Sequence, residues 1–528
     1  MEIVDYNYLA NLNFRSSAGR VRSDIRTDLV YAPHFSASFD VIPEEIFEHL
    51  RTLVKAHKFY ASPPITLESP KRSGLTRPGS ILDPLNRLLY QVLVDQIAVD
   101  GESQIDRDNV FSQVLLESDP DSEMFVHASD CYSKFLDKIE RAAEDSEYVL
   151  EADINSFFER IYHHSLVNFL SGVCQDQQAV KSLSQLLFVF TQKDSHGIIQ
   201  GVFPSDFLGN IYLCPLDADL KILGQRFCRY VDDIYLFFDS RKDAFKRLGY
   251  LCQYLRREGL NLNESKTSIK RSEKLVTKDK AVKDLFDEAR KEVEAQEILS
   301  KDVSYGFAGE WEDSEVLPSM EDDSGWQDFE TRAVERLFDY KVENKALSDV
   351  IDRFCLPILA ASHSDLAVAS SIEGIQRRPH MSRDYCRYLA SLAKRDDAVA
   401  KELGDLLISD DIVYDAQRMW ILAAVLQTKY HSEALVDHCI RVLRSREYHQ
   451  AVRALACIYA GARGAAAQRR IVKQYYQSEE SEYVRSAILY TSKYFPKNER
   501  DTCITSWGGH SVTNSIVAKT VKELSKRL

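Results

Sequence analysis

The hydrophobic pattern is most informative at Phe227-Cys228-Arg229-Tyr230-Val231 and Ile234-Tyr235-Leu236-Phe237-Phe238, two apolar runs split by a pair of acids. Two aromatic and β-branched runs separated by Asp232-Asp233 predict a β-hairpin whose turn carries both carboxylates. Upstream, Tyr148 to Phe158 reads as a strand that ends at Asp153 and turns into a helix. Between these elements, Gly197 to Asn210 opens as a glycine-containing loop and continues as a helix starting near Ser205. After the hairpin, Gly259 to Thr267 reads as a short strand-like segment followed by Lys266. In the final third the apolar period becomes helical. Arg387, Arg418, Arg453 and Arg485 recur there at intervals of 31, 35 and 32 residues, a spacing that predicts paired helices stacked as a solenoid.

The chemistry depends on where the acids meet. If the Tyr148–Asp153 strand pairs beside the hairpin, Asp153 lies next to Asp232 and three carboxylates converge at one end of a sheet. Such a cluster suits hard divalent cations and in-line phosphoryl transfer. The glycines of the intervening loop let a backbone approach a substrate closely, and the helix start supplies free N–H groups. Taken singly, Asp232-Asp233 is equally a solvated turn and Lys266 a surface charge. Their order along one chain favours the site.

These residues resemble the palm motifs of reverse transcriptases: the strand–Asp–Phe-Phe element, the Gly-x-x-Gln-Gly-x-x-x-Ser-x-x-Leu-x-Asn loop and helix, the Tyr-x-Asp-Asp hairpin, and Leu-x-Leu-Asn-x-x-Lys-Thr. The resemblance implies an α+β palm and fingers in which Asp153, Asp232 and Asp233, with the Ile154 carbonyl, hold Mg²⁺, Mn²⁺ being the alternative ion. It makes Phe158 the steric gate against a ribose 2′-OH, so that deoxynucleoside triphosphates are the substrates. It sets Gln200 and Gly201 against the incoming nucleotide and Lys266 near its phosphates. Ile199 departs from the proline usual in templated members, which puts the template-holding loop in doubt. Thr76 to Gln91 resembles the fingers, where Lys71, Arg72 and Arg77 are candidates to meet the triphosphate, Arg77 first because Pro78 follows it in a fixed turn.

Composition narrows the rest. The 528 residues are 45% hydrophobic, enough for two or more cores, and no run approaches the roughly 20 apolar residues of a membrane span. Met1-Glu2-Ile3-Val4-Asp5 lacks the basic start of a signal peptide. Ten scattered cysteines without metal-ligand spacing predict structural thiols in a reducing cytoplasm. The net charge of −14 is unusual for a polymerase. Much of it lies in 276–345, where 20 acidic residues face 10 basic ones, so a clamp gripping duplex phosphates is not evident there. The reading is therefore reverse-transcriptase-like fingers and palm over 1–275, an acidic helical connector over 276–345 with a disordered middle around Gly309 to Gly325, and an α-helical repeat domain, HEAT-like, over 346–528.

This combination, without a recognisable thumb, resembles the abortive-infection polymerases of bacterial phage defence. That resemblance implies template-independent DNA synthesis primed from a protein hydroxyl, a single-stranded DNA product left covalently attached, and a homo-oligomer in the cytoplasm without membrane contact. Tyr8 is the first candidate primer, followed by Tyr6 and Tyr31. The helical repeats would serve oligomerisation or contact with the product strand, with Arg377-Arg378 and Arg469-Arg470 as candidate surface. Two alternatives stand beside this reading: a templated RNA-directed DNA polymerase of retron or other defence type, and a non-catalytic nucleic-acid-binding scaffold. Three intact carboxylates argue against the last, because mutually repelling acids are costly to keep together without a cation.

Overall fold

The computed structural model describes residues 6–116, 123–275, 281–282, 284–286, 288–289, 328–341, 347–409 and 411–527. Most of the acidic connector, including the middle expected to be disordered, lies outside the described residues.

Four helices, Tyr6–Ala10, Phe14–Asp24, Pro33–Val41 and Pro43–Lys55, precede a two-stranded hairpin of β1 (Ile65–Pro70) and β2 (Thr76–Ile81). The helix Pro84–Glu102 follows. Pro84 fits its first turn, where a missing N–H leaves nothing unpaired, and Asp83 caps it by accepting from the Leu85 and Asn86 amides. This helix is apolar on nearly every side and packs against Phe14–Asp24, Gln177–Phe190 and Phe203–Ile222. Its one buried cation, Arg87, is paired with Asp24 at 2.6 Å and Asp28 at 2.8 Å.

The central sheet is antiparallel, in the order β4-β5-β3-β6, with β3 Tyr148–Asp153, β4 Phe227–Tyr230, β5 Asp233–Phe238 and β6 Ser268–Arg271. Successive side chains alternate between its faces. Leu150, Ala152, Ile234, Leu236 and Phe238 enter the main core beneath the sheet. Val149, Cys228, Tyr230 and Phe237 point the other way and are covered by Cys131, Phe135 and Ile139 of the helix Ala128–Glu144. Asp153 and Asp233 belong, by register, to this second face.

Beyond residue 347 the described chain is helical. Ser348–Ala361, Ser382–Ala393, Asp415–Leu426, Gln450–Arg463, Glu482–Thr491 and Val512–Arg527 pack each on the next in one row. The intervening Val368–Arg377, Asp397–Ile408, Glu433–Arg444 and Ala466–Tyr475 form a second row in the same manner. The four recurring arginines all fall on first-row helices, and three of them make contacts within this region. Arg453 is paired with the buried Glu479, Arg418 donates to Asp415 and to the Val413 carbonyl, and Arg485 lies over the Tyr476 ring. The core of this region also takes in Val282, Phe286, Ala289, Ala333, Val334 and Leu337 from the connector.

The helical region docks directly on the N-terminal helices. His34 lies among Phe35, Tyr483 and Tyr490, fully buried, which keeps it neutral with a pKa lowered to about 3. Thr520 donates to the Ser38 hydroxyl at 2.8 Å, and Tyr414 to the Gly74 carbonyl at 3.2 Å. All ten cysteines are unpaired thiols. Among the described residues no helix is long and apolar enough to cross a membrane.

Candidate active site

The pairing of β3 with β5 sets Asp153 directly opposite Asp233. Tyr230 pairs with Asp233, so the turn between β4 and β5 holds only Val231 and Asp232. The sequence pattern predicts both acids in the turn and Asp153 beside Asp232. The register corrects this: Asp233 opens β5, Asp232 sits at the tip, and a shift of one residue would turn each of them to the opposite face. Asp153 is buried at 6% exposure, Asp232 is intermediate and Asp233 exposed.

Val231 has φ +52°, the left-handed region that a two-residue hairpin turn demands but that a β-branched residue resists. Its backbone is held on both sides. The Val231 amide donates to Ser112 Oγ at 2.9 Å, and its carbonyl accepts from Arg229 at 2.8 Å. Arg229 is fully buried, paired twice with Asp217 at 3.0 and 2.5 Å, and donates to Asn210 Oδ1 at 2.9 Å. Ser112 closes the network by donating to that same Asn210 oxygen at 3.0 Å. The carboxylate-bearing tip thus rests on a buried polar brace. Sequence reasoning did not assign Arg229, Ser112 or Asp217. The available signal was a cation inside the apolar run of β4, which burial obliges to have a partner.

Electrostatics at the tip are unfavourable without a cation. Removal from bulk water, then repulsion by Asp232 and Asp153, raise the Asp233 carboxyl to about 7, although Lys266 opposes the rise. The Asp233 side chain is also partly open to solvent. Lys266 Nζ donates to Asp153 Oδ1 at 2.5 Å. Burial works against the Lys266 charge, but this bond and the surrounding carboxylates raise its pKa. The Gly259–Lys266 segment reaches this position because Asn155 and Asn263 amides bond the Asn261 and Asp153 carbonyls at 2.8 Å each, and Ile154 bridges Leu262. Glu151 and Tyr235 share the acidic face and are hydrogen-bonded at 3.1 Å.

Among the described residues no group of three or more His, Cys, Asp or Glu side chains is arranged to hold a metal ion. The donor chemistry nonetheless fits a hard divalent cation: three carboxylates meet at one end of the sheet, and loss of hydration, then the other two, hold Asp233 well above the ordinary carboxylate range. Lys266 is the positive charge that neutralises Asp153 here.

The remaining candidates are distributed as follows. Phe158 lies in the short helix Phe157–Arg160 against Gly209, where an added Cβ would meet the Phe157 and Phe158 rings at 3.2 Å. Gly201 adopts φ +80° just before the helix Phe203–Ile222, with Gln200 half-exposed beside it and Ile199 buried. The Phe203 amide at that helix start bonds Asp24 at 3.0 Å, tying the loop to the Arg87 cluster. Arg77 stands opposite Ser69 in β2, and Pro78 continues the strand instead of making the expected turn, as an edge strand permits. Lys71 and Arg72 occupy the β1–β2 turn, where Arg72 pairs with Asp349 at 3.4 Å. Tyr8 donates to Asp176 at 2.6 Å, Tyr6 packs on His57, and Tyr31 on Trp420.

Residues 69–296 match the family model described as reverse transcriptase (RNA-dependent DNA polymerase). The chain carries a reverse-transcriptase domain and is a reverse-transcriptase-like nucleotidyltransferase. Comparison with curated proteins finds no match. Among solved structures, similarity is found to the telomerase of Candida albicans with a TWJ fragment of telomeric RNA, at 10% identity and TM-score 0.29, over 80% of this chain and 67% of that one. The telomerase of Candida tropicalis with such a fragment is similar at 12% identity and TM-score 0.31, over 72% and 66%. Its apo form gives 10% and 0.30, over 88% and 68%. The chain thus spans about two thirds of these telomerases, at a similarity too low to carry an activity across.

Proposed function

We propose that this nucleotidyltransferase is a protein-primed, template-independent DNA polymerase of the abortive-infection type, acting in antiphage defence. The observation that supports template independence is the helix Ala128–Glu144. It lies on the same face of the sheet as Asp153 and Asp233, with Phe135 against Tyr230 at 5.4 Å and Tyr235 at 5.7 Å. The sheet face beside the acids is therefore filled by protein, and a strand reaches them from the sheet end.

Asp153, Asp232 and Asp233, with the Ile154 carbonyl, would hold Mg²⁺ or Mn²⁺. Bound there, such ions supply charge neutralisation for the attacking oxygen and the leaving pyrophosphate. The chain's own residues do the rest. Val231, fixed by Ser112 and Arg229, holds Asp232 at the turn and Asp233 beside it still, and Lys266, leaving Asp153, meets the triphosphate. Gln200, Gly201 and Arg77 border the nucleotide, and Lys71 and Arg72 extend the basic edge of the hairpin. Phe158 excludes a 2′-OH. Its replacement by Ala is expected to raise ribonucleotide incorporation relative to deoxynucleotide by about tenfold or more, about 1.4 kcal/mol of discrimination. Parallel kinetics with dTTP and UTP measure this, and an unchanged ratio places the gate elsewhere.

Tyr8 is the proposed primer, with Tyr6 and Tyr31 as the other candidates. A tethered phenol reaches high effective concentration without the basic surface a free primer needs. Burial, and then the bond to Asp176, raise the Tyr8 pKa, so the hydroxyl is protonated where it stands. Priming therefore requires the helix Tyr6–Ala10 to release Asp176 and carry Tyr8 to the carboxylates. We read the two rows of helices as a HEAT-like solenoid serving homo-oligomerisation, with residues 1–275, 276–345 and 346–528 as the three units of a cytoplasmic protein.

The test is incubation of purified protein with Mg²⁺ and labelled deoxynucleotides, without template or primer, followed by a denaturing gel. Label is expected to migrate with the protein, to resist denaturation, and to be lost in Tyr8→Phe. Label that persists in Tyr8→Phe moves the primer to another residue, which peptide mass spectrometry locates. The family match to RNA-dependent DNA polymerases favours a second reading, templated synthesis. Label that appears only with an RNA template and a free 3′-OH establishes it instead.

A further inference from the structure

A cleft of about 430 Å³ separates the β1–β2 turn from the start of the helical region. Its walls bring together Lys71, Arg72, Arg377 and Arg378, with His380 and a single carboxylate, Asp349. Four permanent cations facing one acid is a marked local reversal in a chain of net charge −14.

Asp349 acts as an internal brace. It accepts from His380 Nε2 at 3.0 Å and pairs with Arg378 at 3.3 Å and Arg72 at 3.4 Å. Burial opposes its ionisation, but the His380 bond and the charges of His380, Arg72 and Arg378 hold its carboxyl down at about 2. Arg378 is anchored further by Asp352 at 2.6 Å. The outward cations are not used up. The Lys71 ammonium has no ion-pair partner among the described residues, and the Arg72 side chain is 55% exposed. Arg377 is 77% exposed and pairs with Glu373 at 2.9 Å at the surface, where such a pair is weak.

We propose that this cleft binds the phosphate backbone of a single nucleic-acid strand, independently of its sequence. The walls offer cations and hydroxyls, and the one ring among them, the His380 imidazole, is only 12% exposed and committed to Asp349, so phosphates are the groups they recognise. The cleft is open, and its two walls come from the N-terminal hairpin and the helical region. A strand lying in it crosslinks those two units. In naming the strand this inference rests on the polymerase reading, whose product is single-stranded DNA.

The test uses the full-length Asp232→Asn, Asp233→Asn protein in chelator, so that binding is read without synthesis. Fluorescein-labelled oligodeoxythymidylate is titrated by anisotropy over a salt series. Each phosphate contact contributes a slope of about −0.7 to log K against log salt for single strands. Arg377→Ala is expected to make the slope shallower by about 0.7, and Lys71→Ala with Arg377→Ala by about 1.4, with circular dichroism unchanged. A double variant with an unchanged slope overturns the proposal, because the strand is then held elsewhere. Displacement of the oligonucleotide by an equal concentration of dTTP also overturns it, in favour of a mononucleotide site. Altered slopes in a protein whose wild-type form shows no covalent label leave the cleft standing and remove protein priming, whereas covalent label with unaltered slopes does the reverse.

Discussion

Replacing Asp232 and Asp233 together with Asn is expected to abolish nucleotide incorporation, by at least about 10³-fold, in a protein that remains fully folded. A bound cation stabilises transition-state charge by several kcal/mol, and each 1.36 kcal/mol is a factor of ten. The substitutions keep the shape of both side chains and remove only charge. Neither carboxylate is part of a core: Asp232 is at the turn tip and Asp233 is exposed. The folded pKa of Asp233 is raised above its unfolded value, to about 7. The folded state then holds the proton more tightly, so the stability this group contributes is full below about pH 4 and lost as pH rises through 7. In chelator at pH 8 the double variant should therefore melt at the wild-type temperature or above it. Thermal unfolding and an incorporation assay on one preparation decide the matter. Retained activity removes the proposed metal site, and an unfolded variant shows that the acids are structural.

The parts of this site legible in the sequence are those that depend on period. Residues 227–238 set two aromatic and β-branched runs on either side of an acidic pair, and the structure pairs them as a hairpin with the acids at its closed end. The arginine spacing of the last third likewise tracked alternate helices of a two-row array. What could not be read was register and partner choice. Placing Asp153 opposite Asp233 instead of Asp232 is a one-residue matter decided by the turn, which closes on Val231 and Asp232. Arg77-Pro78 reads as a turn because proline fixes φ, yet the pair sits in an edge strand, where a missing amide is tolerated. Arg72 looks like a triphosphate ligand by order along the chain. Its carboxylate partner, Asp349, is 277 positions away, and no local pattern announces a contact made by docking a helical region on a hairpin. Tyr8 stands out in the sequence by its place in a polar N-terminal segment, and its bond to Asp176 depends on tertiary packing in the same way.

The second large effect is expected at Arg229. Arg229→Met removes a guanidinium that is 0% exposed and leaves Asp217, 3% exposed, as a buried charge without its partner. Breaking such a pair by deleting one member costs about 3–5 kcal/mol, so a clear fall in the denaturation midpoint should appear. Activity should fall as well, for a separate reason. Arg229 also holds the Val231 carbonyl and Asn210, and without it a valine at φ +52° relaxes toward ordinary β geometry and carries Asp232 with it. The two effects can be divided. Adding Asp217→Asn to Arg229→Met removes the stranded charge and should recover much of the stability while leaving incorporation low. Val231→Gly, which adopts positive φ without strain, should restore part of the incorporation when combined with that pair, because the turn no longer needs to be forced. If the Arg229→Met, Asp217→Asn protein regains wild-type turnover along with its stability, Arg229 serves the core alone, and the acids owe their positions to the strand pairing of Asp153 with Asp233.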